Sequence, residues 1–122
     1  MNPARKFEDL AVWKKSHGLV IEVYKLTKNF PDDERFGLIS QMRRASVSVA
    51  ANIVEGFKRR GARDKINFYN ISQSSLSELR YYLILSEDLK YSPKLETLEF
   101  LCEEISKMLH GLIVSIESNH SD

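Results

Sequence analysis

Apolar residues recur at steps of three or four along most of the chain, the spacing that places them on one face of an α-helix. No segment alternates apolar and polar residues as a half-buried strand does. The pattern predicts four helices, which run from Glu8 or Asp9 to Asn29, from Glu34 to Arg60, from Lys65 to Leu89 and from Pro93 to Ser118. Their short connections predict one all-α domain over residues 1–122, an antiparallel up-down-up-down four-helix bundle.

Each predicted helix carries a stripe of residues that we expect to face the core. The stripe of the first helix is Leu10, Trp13, Val20, Tyr24 and Thr27, and that of the second is Leu38, Met42, Ala45, Val49 and Ile53. The stripe of the third helix is Phe68, Ser72, Leu76, Leu79, Leu83 and Ser86. The stripe of the fourth has the regular alternation of a heptad seam and consists of Leu98, Leu101, Ile105, Met108, Leu112 and Ser115.

Proline, glycine and aspartate mark the expected helix ends. Pro31 biases the residue before it away from helical dihedrals, so the first helix should stop there. Asp32 or Asp33 could then cap the second helix. Gly61 is placed to end the second helix, and Asp64 to cap the third.

A polar stripe runs beside the apolar one on the second helix. Its members are Arg44, Ser48, Asn52 and Glu55, and we expect them to meet Ser75 and Glu78 of the third helix. Two carboxylates such as Glu55 and Glu78 could act as an acid and base pair. The arginine and asparagine on the same stripe favour instead a hydrogen-bonded network that fixes the register of the helices or lies at an interface.

Charge is distributed unevenly along the chain, although the net charge is only +1. Residues 1–34 carry six basic and six acidic residues, residues 35–65 carry eight and two, and residues 66–122 carry four and nine. The three segments therefore have charges of 0, +6 and −5. This division predicts a dipolar molecule.

The junction of the second and third helices concentrates positive charge. Five cations lie within eight residues there, with Asp64 as the single acid, and they are Lys58, Arg59, Arg60, Arg63 and Lys65. Such a cluster can be a solvated helix end, or it can neutralise the phosphates of a nucleic acid without reading its sequence. The chain alone leaves these two interpretations about even.

Residues able to carry catalysis or hold a metal are few and scattered. The histidines His17, His110 and His120 do not have metal-ligand spacing, and for the first two we expect hydrogen-bonded core positions. Cys102, the single cysteine, has no cation near it in sequence, so it is expected to be an inert thiol. We therefore predict no enzyme, no metal and no cofactor.

The N-terminal residues Met1–Asp9 do not have the pattern of a signal peptide, and no apolar run is long enough to cross a bilayer. With a single cysteine, this predicts a cytoplasmic protein without a membrane partner.

Several motifs occur together in an order typical of one family. They are Phe7-Glu8-Asp9-Leu10 with Trp13, Phe30-Pro31 with Glu34 and Gly37-Leu38, Gln41-Met42-Arg43-Arg44-Ala45-Ser46-Val47-Ser48, Ala51-Asn52-Ile53-Val54-Glu55-Gly56, Ser74-Ser75-Leu76-Ser77-Glu78-Leu79, and Met108-Leu109 with Leu112-Ile113. With these residues, nearly the whole chain resembles the bacterial four-helix-bundle family named for the 23S rRNA intervening-sequence protein.

The resemblance implies a closed up-down bundle that assembles as a ring-like homopentamer, and it supplies no catalytic residues. Some members are encoded inside intervening sequences of large-subunit rRNA genes. Related members are the accessory variability proteins of diversity-generating retroelements, which bind nucleic acid and a reverse transcriptase. Self-association, RNA or DNA, and a reverse transcriptase are therefore the partners that the resemblance implies.

Two functional hypotheses follow from the sequence. In the first, a homo-oligomer binds RNA or DNA through the basic junction, and its binding weakens with salt and with joint neutralisation of Lys58, Arg59, Arg60 and Arg63. In the second, the protein is a scaffold or adaptor, for example for a reverse transcriptase, with no nucleic-acid role of its own. The aromatic residues expected at an exposed interface are Trp13, Tyr81, Tyr82 and Phe100.

Overall fold

A computed structural model describes residues 3–120, without the side chain of residue 120. Within this range four long helices follow one another: α1 (Ala11–Thr27), α2 (Leu38–Lys58), α3 (Ala62–Asp88) and α4 (Glu96–His120). Short 3-10 turns at Phe7–Asp9 and Asp32–Glu34 precede α1 and α2, and the described range contains no strand. The all-α prediction is confirmed. The predicted domain extends over residues 1–122, so its ends at residues 1–2 and 121–122 lie outside the described residues.

The four helices pack in a closed circuit around a shared core. Helix α2 contacts α1 and α3, while α4 contacts α3 and α1. Over residues 3–120, the diagonal pairs α1 with α3 and α2 with α4 lie farther apart, with no Cα atoms within 8 Å of each other. All four helices contribute fully buried side chains, which include Leu19, Val23, Met42, Val49, Ile53, Leu76, Leu79, Leu83, Ile105 and Leu109.

Small side chains allow α2 and α3 to approach closely along their length. Two hydrogen bonds join them: Ser48 and Ser75 bond over 2.7 Å, and Ser72 donates to the carbonyl of Val49. The Ser86 hydroxyl donates to the carbonyl of Tyr82 over 2.8 Å on its own helix, and its oxygen lies 3.5 Å from the sulfur of Met42. Near the end of α2, a Cβ at Gly56 would lie 2.6 Å from the ring of Tyr69. These contacts pair the beginning of α2 with the end of α3, and the reverse.

The core stripes predicted for α2 and α3 are confirmed with one exception. All five predicted residues of α2 are buried, and so are those of α3 apart from Phe68, which is half-buried. On α3, Ser72 and Ser86 share the core with three leucines because their hydroxyls donate to the carbonyls of Val49 and Tyr82.

The predicted stripes of α1 and α4 are displaced by one position over part of their length. The buried residues of α1 are Val12, Ser16, Leu19, Val23 and Thr27, so Trp13 and Val20 are only partly buried and Tyr24 is exposed. The buried residues of α4 are Cys102, Ile105 and Leu109, flanked by the partly buried Leu98, Leu101, Met108 and Leu112, while Ser115 is exposed. Ser16 and Cys102 occupy core positions. The larger apolar residues near them in the sequence dominate the helical pattern and displace the predicted stripe.

The second helix begins later than predicted because Glu34 takes part in a turn. Its carboxylate accepts hydrogen bonds from the backbone N–H of Leu38 over 3.1 Å and from the Tyr91 hydroxyl over 2.8 Å. These bonds hold the pKa of Glu34 below its ordinary value of 4.5, with the backbone bond as the larger cause. Glu34 therefore caps α2 from the preceding turn, and neither Asp32 nor Asp33 makes a side-chain cap.

The third helix begins at Ala62, earlier than predicted. Gly61, expected to end the second helix, instead precedes α3 in an extended conformation with φ of −81°. Asp64 lies within the first turn of α3, so its predicted capping role is wrong. Its carboxylate still interacts favourably with the positive end of the helix dipole.

The fourth helix begins at Glu96, and the predicted start at Pro93 is wrong. Lys90 adopts the left-handed conformation with φ of 62° after α3, and the N–H of Tyr91 bonds back to the carbonyl of Ser86. The Glu87 carboxylate then accepts the N–H of Leu95 over 3.1 Å. This connection keeps the chain non-helical until Leu95.

The first helix also begins later than predicted, at Ala11. The Asp9 carboxylate accepts the backbone N–H groups of Arg5 and Lys6 over 3.0 and 3.3 Å, which closes the preceding 3-10 turn. This turn occupies the residues that the sequence pattern assigned to the first helical turn.

The contacts of Glu34 predict that a substitution of this residue changes the thermal stability by an amount that depends on pH. We expect Glu34→Gln to lower the thermal unfolding midpoint at neutral pH, because the ionised carboxylate is the form that its two donors stabilise. Since the folded pKa lies below 4.5, this contribution is present above 4.5 and is lost as the pH falls through the folded pKa. The midpoints of parent and variant, measured by circular dichroism between about pH 3 and 7, should converge in acid. A constant difference across that range would contradict this account.

Candidate nucleic-acid interface

The junction between α2 and α3 brings the five predicted cations to one end of the molecule, which we call the basic end. Lys58 ends α2, Arg59 follows in extended backbone, Arg60 lies between the two helices, and Arg63 and Lys65 lie in the first turn of α3. Their side chains nevertheless have three different environments. The cations must therefore be considered separately.

Arg60 and Arg63 are the free cations of the basic end. Both are exposed, and neither has a carboxylate partner among the described residues. Nothing in these contacts restrains their guanidinium groups from reaching a phosphate. Arginine can bind phosphate with two parallel hydrogen bonds, which suits this position.

Lys58 and Arg59 are partly neutralised by Glu55. The Arg59 guanidinium contacts the Glu55 carboxylate at 3.1 Å, and the Lys58 ammonium contacts it at 3.9 Å. Arg59 also lies over the ring of Phe68, 4.6 Å from its centroid. These pairs are partly exposed, so an incoming phosphate could compete for them, but each cation has a partner within the chain.

Lys65 points inward and supports the end of α2. Its ammonium donates to the carbonyls of Gly56 and Phe57 over 3.2 and 2.7 Å. Burial lowers the pKa of Lys65 below its ordinary value of 10.5. A cation on the last carbonyls of a helix stabilises that end, so this residue has a structural role that the sequence pattern did not reveal.

The predicted polar stripe forms one connected group and several separate contacts. The Asn52 amide donates to the carbonyl and hydroxyl of Ser48 over 2.8 and 3.0 Å, and Ser48 bonds to Ser75 on α3. This group bridges α2 and α3. Arg44 instead donates to Gln41 over 2.6 Å, on the exposed side of the same helix.

The two carboxylates considered as an acid and base pair have separate partners. Glu55 contacts the cations at the end of α2, while Glu78 accepts a hydrogen bond from the Tyr82 hydroxyl over 2.9 Å. Each belongs to a local contact on its own helix. The structure therefore does not bring them together as a pair.

The remaining titratable candidates also lie apart. His17 and His110 are exposed, so the expectation that they occupy the core is wrong; His17 stacks on Trp13 with ring centroids 5.1 Å apart. The side chain of His120 lies outside the described residues. Burial raises the pKa of Cys102 to about 12, which favours the inert thiol expected from the sequence.

No group of three or more histidine, cysteine, aspartate or glutamate residues within the described range could hold a metal ion. Within the same range, no helix is both long and apolar enough to cross a membrane.

A second basic surface, which the sequence analysis did not identify, lies at the other end of α2. We call it the basic groove, and its lining consists of Tyr24, Arg35, Phe36, Ile39, Ser40, Arg43, Arg44 and Val47. Arg43 bridges α2 to α1, because it donates to the Thr27 hydroxyl over 2.9 Å and lies 4.5 Å from the centre of the Tyr24 ring. The sequence does contain a signal for this surface, because the run from Arg35 to Val54 holds three arginines and no acid.

The aromatic residues expected at an interface divide into two groups. Phe100 and Tyr81 are 75% and 57% exposed, whereas Trp13 and Tyr82 pack partly against the core. Among the described residues, Phe36 is the most exposed large apolar side chain at 87%, and the sequence pattern did not indicate it. Aromatic residues are enriched at protein interfaces, so Phe36, Tyr81 and Phe100 are the first positions to test for one.

Comparisons with known proteins agree with the fold. A crystal structure of a protein of unknown function from the S23 ribosomal protein family of Bacteroides thetaiotaomicron superposes with a TM-score of 0.76 and 28% sequence identity. The match covers 84% of this chain and 98% of that one. A comparison with curated proteins gives no match. The family model described as 23S rRNA-intervening sequence protein matches residues 8–111, and the chain therefore belongs to this family.

Proposed function

We propose that this protein is a non-enzymatic homo-oligomer that binds RNA or DNA without strong sequence specificity through its basic end. The observation that supports this proposal most directly is the pair of free, exposed guanidinium groups on Arg60 and Arg63. Lys58 and Arg59 add positive charge beside them, although Glu55 partly neutralises both. Cations grouped in this way release counterions when they bind a phosphate backbone.

Assembly is part of the proposal because one basic end offers few phosphate contacts. A ring of subunits, a pentamer as the resemblance implies, would bring several basic ends together and multiply their attraction for phosphates. We further propose that the helices alternate in direction as an up-down-up-down bundle. The contact of Met42, near the beginning of α2, with Ser86, near the end of α3, and the hydrogen bond between Ser48 and Ser75 support this arrangement.

The absence of catalysis in the proposal follows from the chemistry of the available groups. The candidate carboxylates have separate partners, and burial keeps the single thiol protonated. The described residues do not place a nucleophile beside a base with a third residue to orient it, which is the arrangement a hydrolase or transferase of that kind requires.

The proposal predicts the effect of removing the two free cations. We expect the double substitution Arg60→Gln and Arg63→Gln to weaken binding of a fluorescently labelled single-stranded RNA and of the matching DNA. Each lost phosphate contact should flatten the slope of log K against log salt by about 1. Fluorescence anisotropy across a salt series measures both quantities, and light scattering confirms that the variant keeps the mass of the parent.

A matched control removes two cations near the opposite end of α2. Lys28 follows α1 and Lys90 follows α3, and both are exposed and form no ion pair among the described residues. The double substitution Lys28→Gln and Lys90→Gln should leave affinity and salt slope close to those of the parent. Equal affinity of the arginine variant and the parent at every salt concentration would refute binding through the basic end. Flat salt dependence together with a co-purifying protein would favour the adaptor hypothesis.

A further inference from the structure

The basic groove is lined by three arginines and, among residues 3–120, by no carboxylate. No carboxylate of residues 3–120 forms an ion pair with Arg35, Arg43 or Arg44. Between these arginines lies an apolar floor that includes Ile39 and Val47, and the highly exposed ring of Phe36 stands at its edge. The groove therefore offers both apolar area and positive charge to a partner.

An acidic surface of matching character lies on α4. We call it the acidic face, and it consists of Glu96, Glu99, Phe100, Glu103 and Glu104. Its central ring is 75% exposed. From residue 96 to residue 107, α4 carries four glutamates and one lysine, a net charge of −3. An exposed aromatic side chain surrounded by carboxylates complements an apolar groove surrounded by arginines.

The ion pairs already present on the acidic face do not prevent this use. Glu103 contacts Lys107 at 3.4 Å, and Glu104 contacts Lys15 at 3.3 Å. All four side chains are at least 42% exposed. Exposed pairs of this kind contribute little stability, so these carboxylates can exchange their lysines for arginines of a partner.

The positions of the two surfaces allow one subunit to use both at once. The basic groove lies along α1 and α2 and the acidic face lies on α4, which is diagonal to α2, with no Cα atoms of these two helices within 8 Å in the described residues. An interface of ordinary size covers about 800 Å² on each partner, and the chain exposes 7867 Å². Its surface therefore has room for two such interfaces.

We infer that the basic groove of one subunit receives the acidic face of a second copy of the chain, with Phe100 entering the groove beside Phe36. The inference rests on the homo-oligomer in the proposed function and identifies its interface. Because the two surfaces differ, the contact is heterologous. Repetition of such a contact closes into a ring when the rotation between neighbours allows it.

Charge reversal provides the test, with light scattering and sedimentation velocity to measure mass. The groove variant carries Arg35→Glu and Arg44→Glu, and the face variant carries Glu103→Arg and Glu104→Arg. All four positions are exposed, so folding should be retained, as circular dichroism can verify. We expect each variant alone to associate at least roughly tenfold more weakly than the parent. The chain with all four substitutions should recover the mass of the parent, because its two surfaces are complementary again.

Two further variants keep the test decisive. Phe100→Ala removes the central ring without changing charge, and it should also weaken association. The Arg60→Gln and Arg63→Gln variant should keep the mass of the parent while losing affinity for RNA, which separates the interface from the basic end.

The possible failures have different meanings. A monomeric parent would refute the assembly in the proposed function, and this inference with it. An oligomeric parent whose mass survives both charge-reversal variants would overturn the interface alone. A groove variant that keeps its mass but loses RNA binding would assign the groove to nucleic acid instead of a second copy. Failure of the folded fourfold variant to reassociate would likewise overturn the pairing of these two surfaces.

Discussion

We expect the substitution Leu79→Ala to lower the free energy of unfolding by about 2–5 kcal/mol. Leu79 is fully buried in α3, within the core to which all four helices contribute. Its truncation removes buried apolar area and leaves a cavity that helices packed on several sides cannot fill completely. Since a domain of this size is stable by about 5–15 kcal/mol, chemical denaturation of the variant should show a much lower midpoint with a similar slope.

Ile84 supplies a control on the same helix. Its side chain is 49% exposed, so Ile84→Ala removes far less buried area than the leucine substitution. The loss of stability should therefore be about 1 kcal/mol or less. Equal destabilisation by the two substitutions would show that the core is not centred where the structure places it.

The substitution Gly56→Ala has the second largest expected effect. The added methyl group would lie 2.6 and 2.9 Å from two ring carbons of Tyr69, whose side chain is buried. Overpacking of this kind costs about 1–3 kcal/mol, which exceeds the gain of up to about 1 kcal/mol from the higher helix propensity of alanine. We therefore expect a net loss of stability in denaturant unfolding, with α2 and α3 forced slightly apart.

Gly111→Ala gives the opposite expectation in the same measurement. An added Cβ at Gly111 meets no atom within 4 Å, and the residue lies inside α4. Only the helix propensity should then change, which favours the variant by about 0.5–1 kcal/mol. If both substitutions stabilised the protein, the close approach of α2 to the Tyr69 ring would be refuted.

Much of the fold could be predicted because burial and helical periodicity coincide in α2 and α3. Leu76, Leu79 and Leu83 are apolar, regularly spaced and buried, so the pattern and the structure agree. The pattern was less accurate in α1 and α4. There, Ser16 and Cys102 occupy the core while Trp13 and Leu101 lie at its margin, and the size of a side chain alone does not distinguish these positions.

Helix starts were less predictable because they depend on contacts distant in sequence. The hydrogen bonds of Glu34 keep it in the turn before α2, so the helix begins only at Leu38. One of these bonds is to Tyr91, which lies 57 residues away. Gly61 was expected to end α2, a position where glycine is usually left-handed. Its backbone is extended instead, and it directly precedes α3. Local sequence rules describe which residues can cap a helix. They do not show which of these residues form hydrogen bonds with a distant part of the chain.

The candidate site could be located by charge but not divided into roles. The sequence groups five cations, yet Arg60 and Arg63 are free, while Lys65 turns inward to the end of α2. Side-chain direction depends on where the chain turns between α2 and α3. The basic groove was missed for a related reason, because Tyr24 and Arg43 are brought together only by the packing of α1 on α2.

The hydrogen-bonded levels between α2 and α3 have a mechanical consequence. Hydrogen bonds are directional, so sliding one helix along the other by a single turn, about 5.4 Å, would break those of Ser48 and Ser72 together. We therefore expect the pair to resist sliding and to transmit load as one unit. The basic groove lies near one end of this pair and the basic end at the other. In the proposed assembly, a force that nucleic acid applies at the basic end of one subunit would be transmitted along α2 and α3 to the neighbour in its groove.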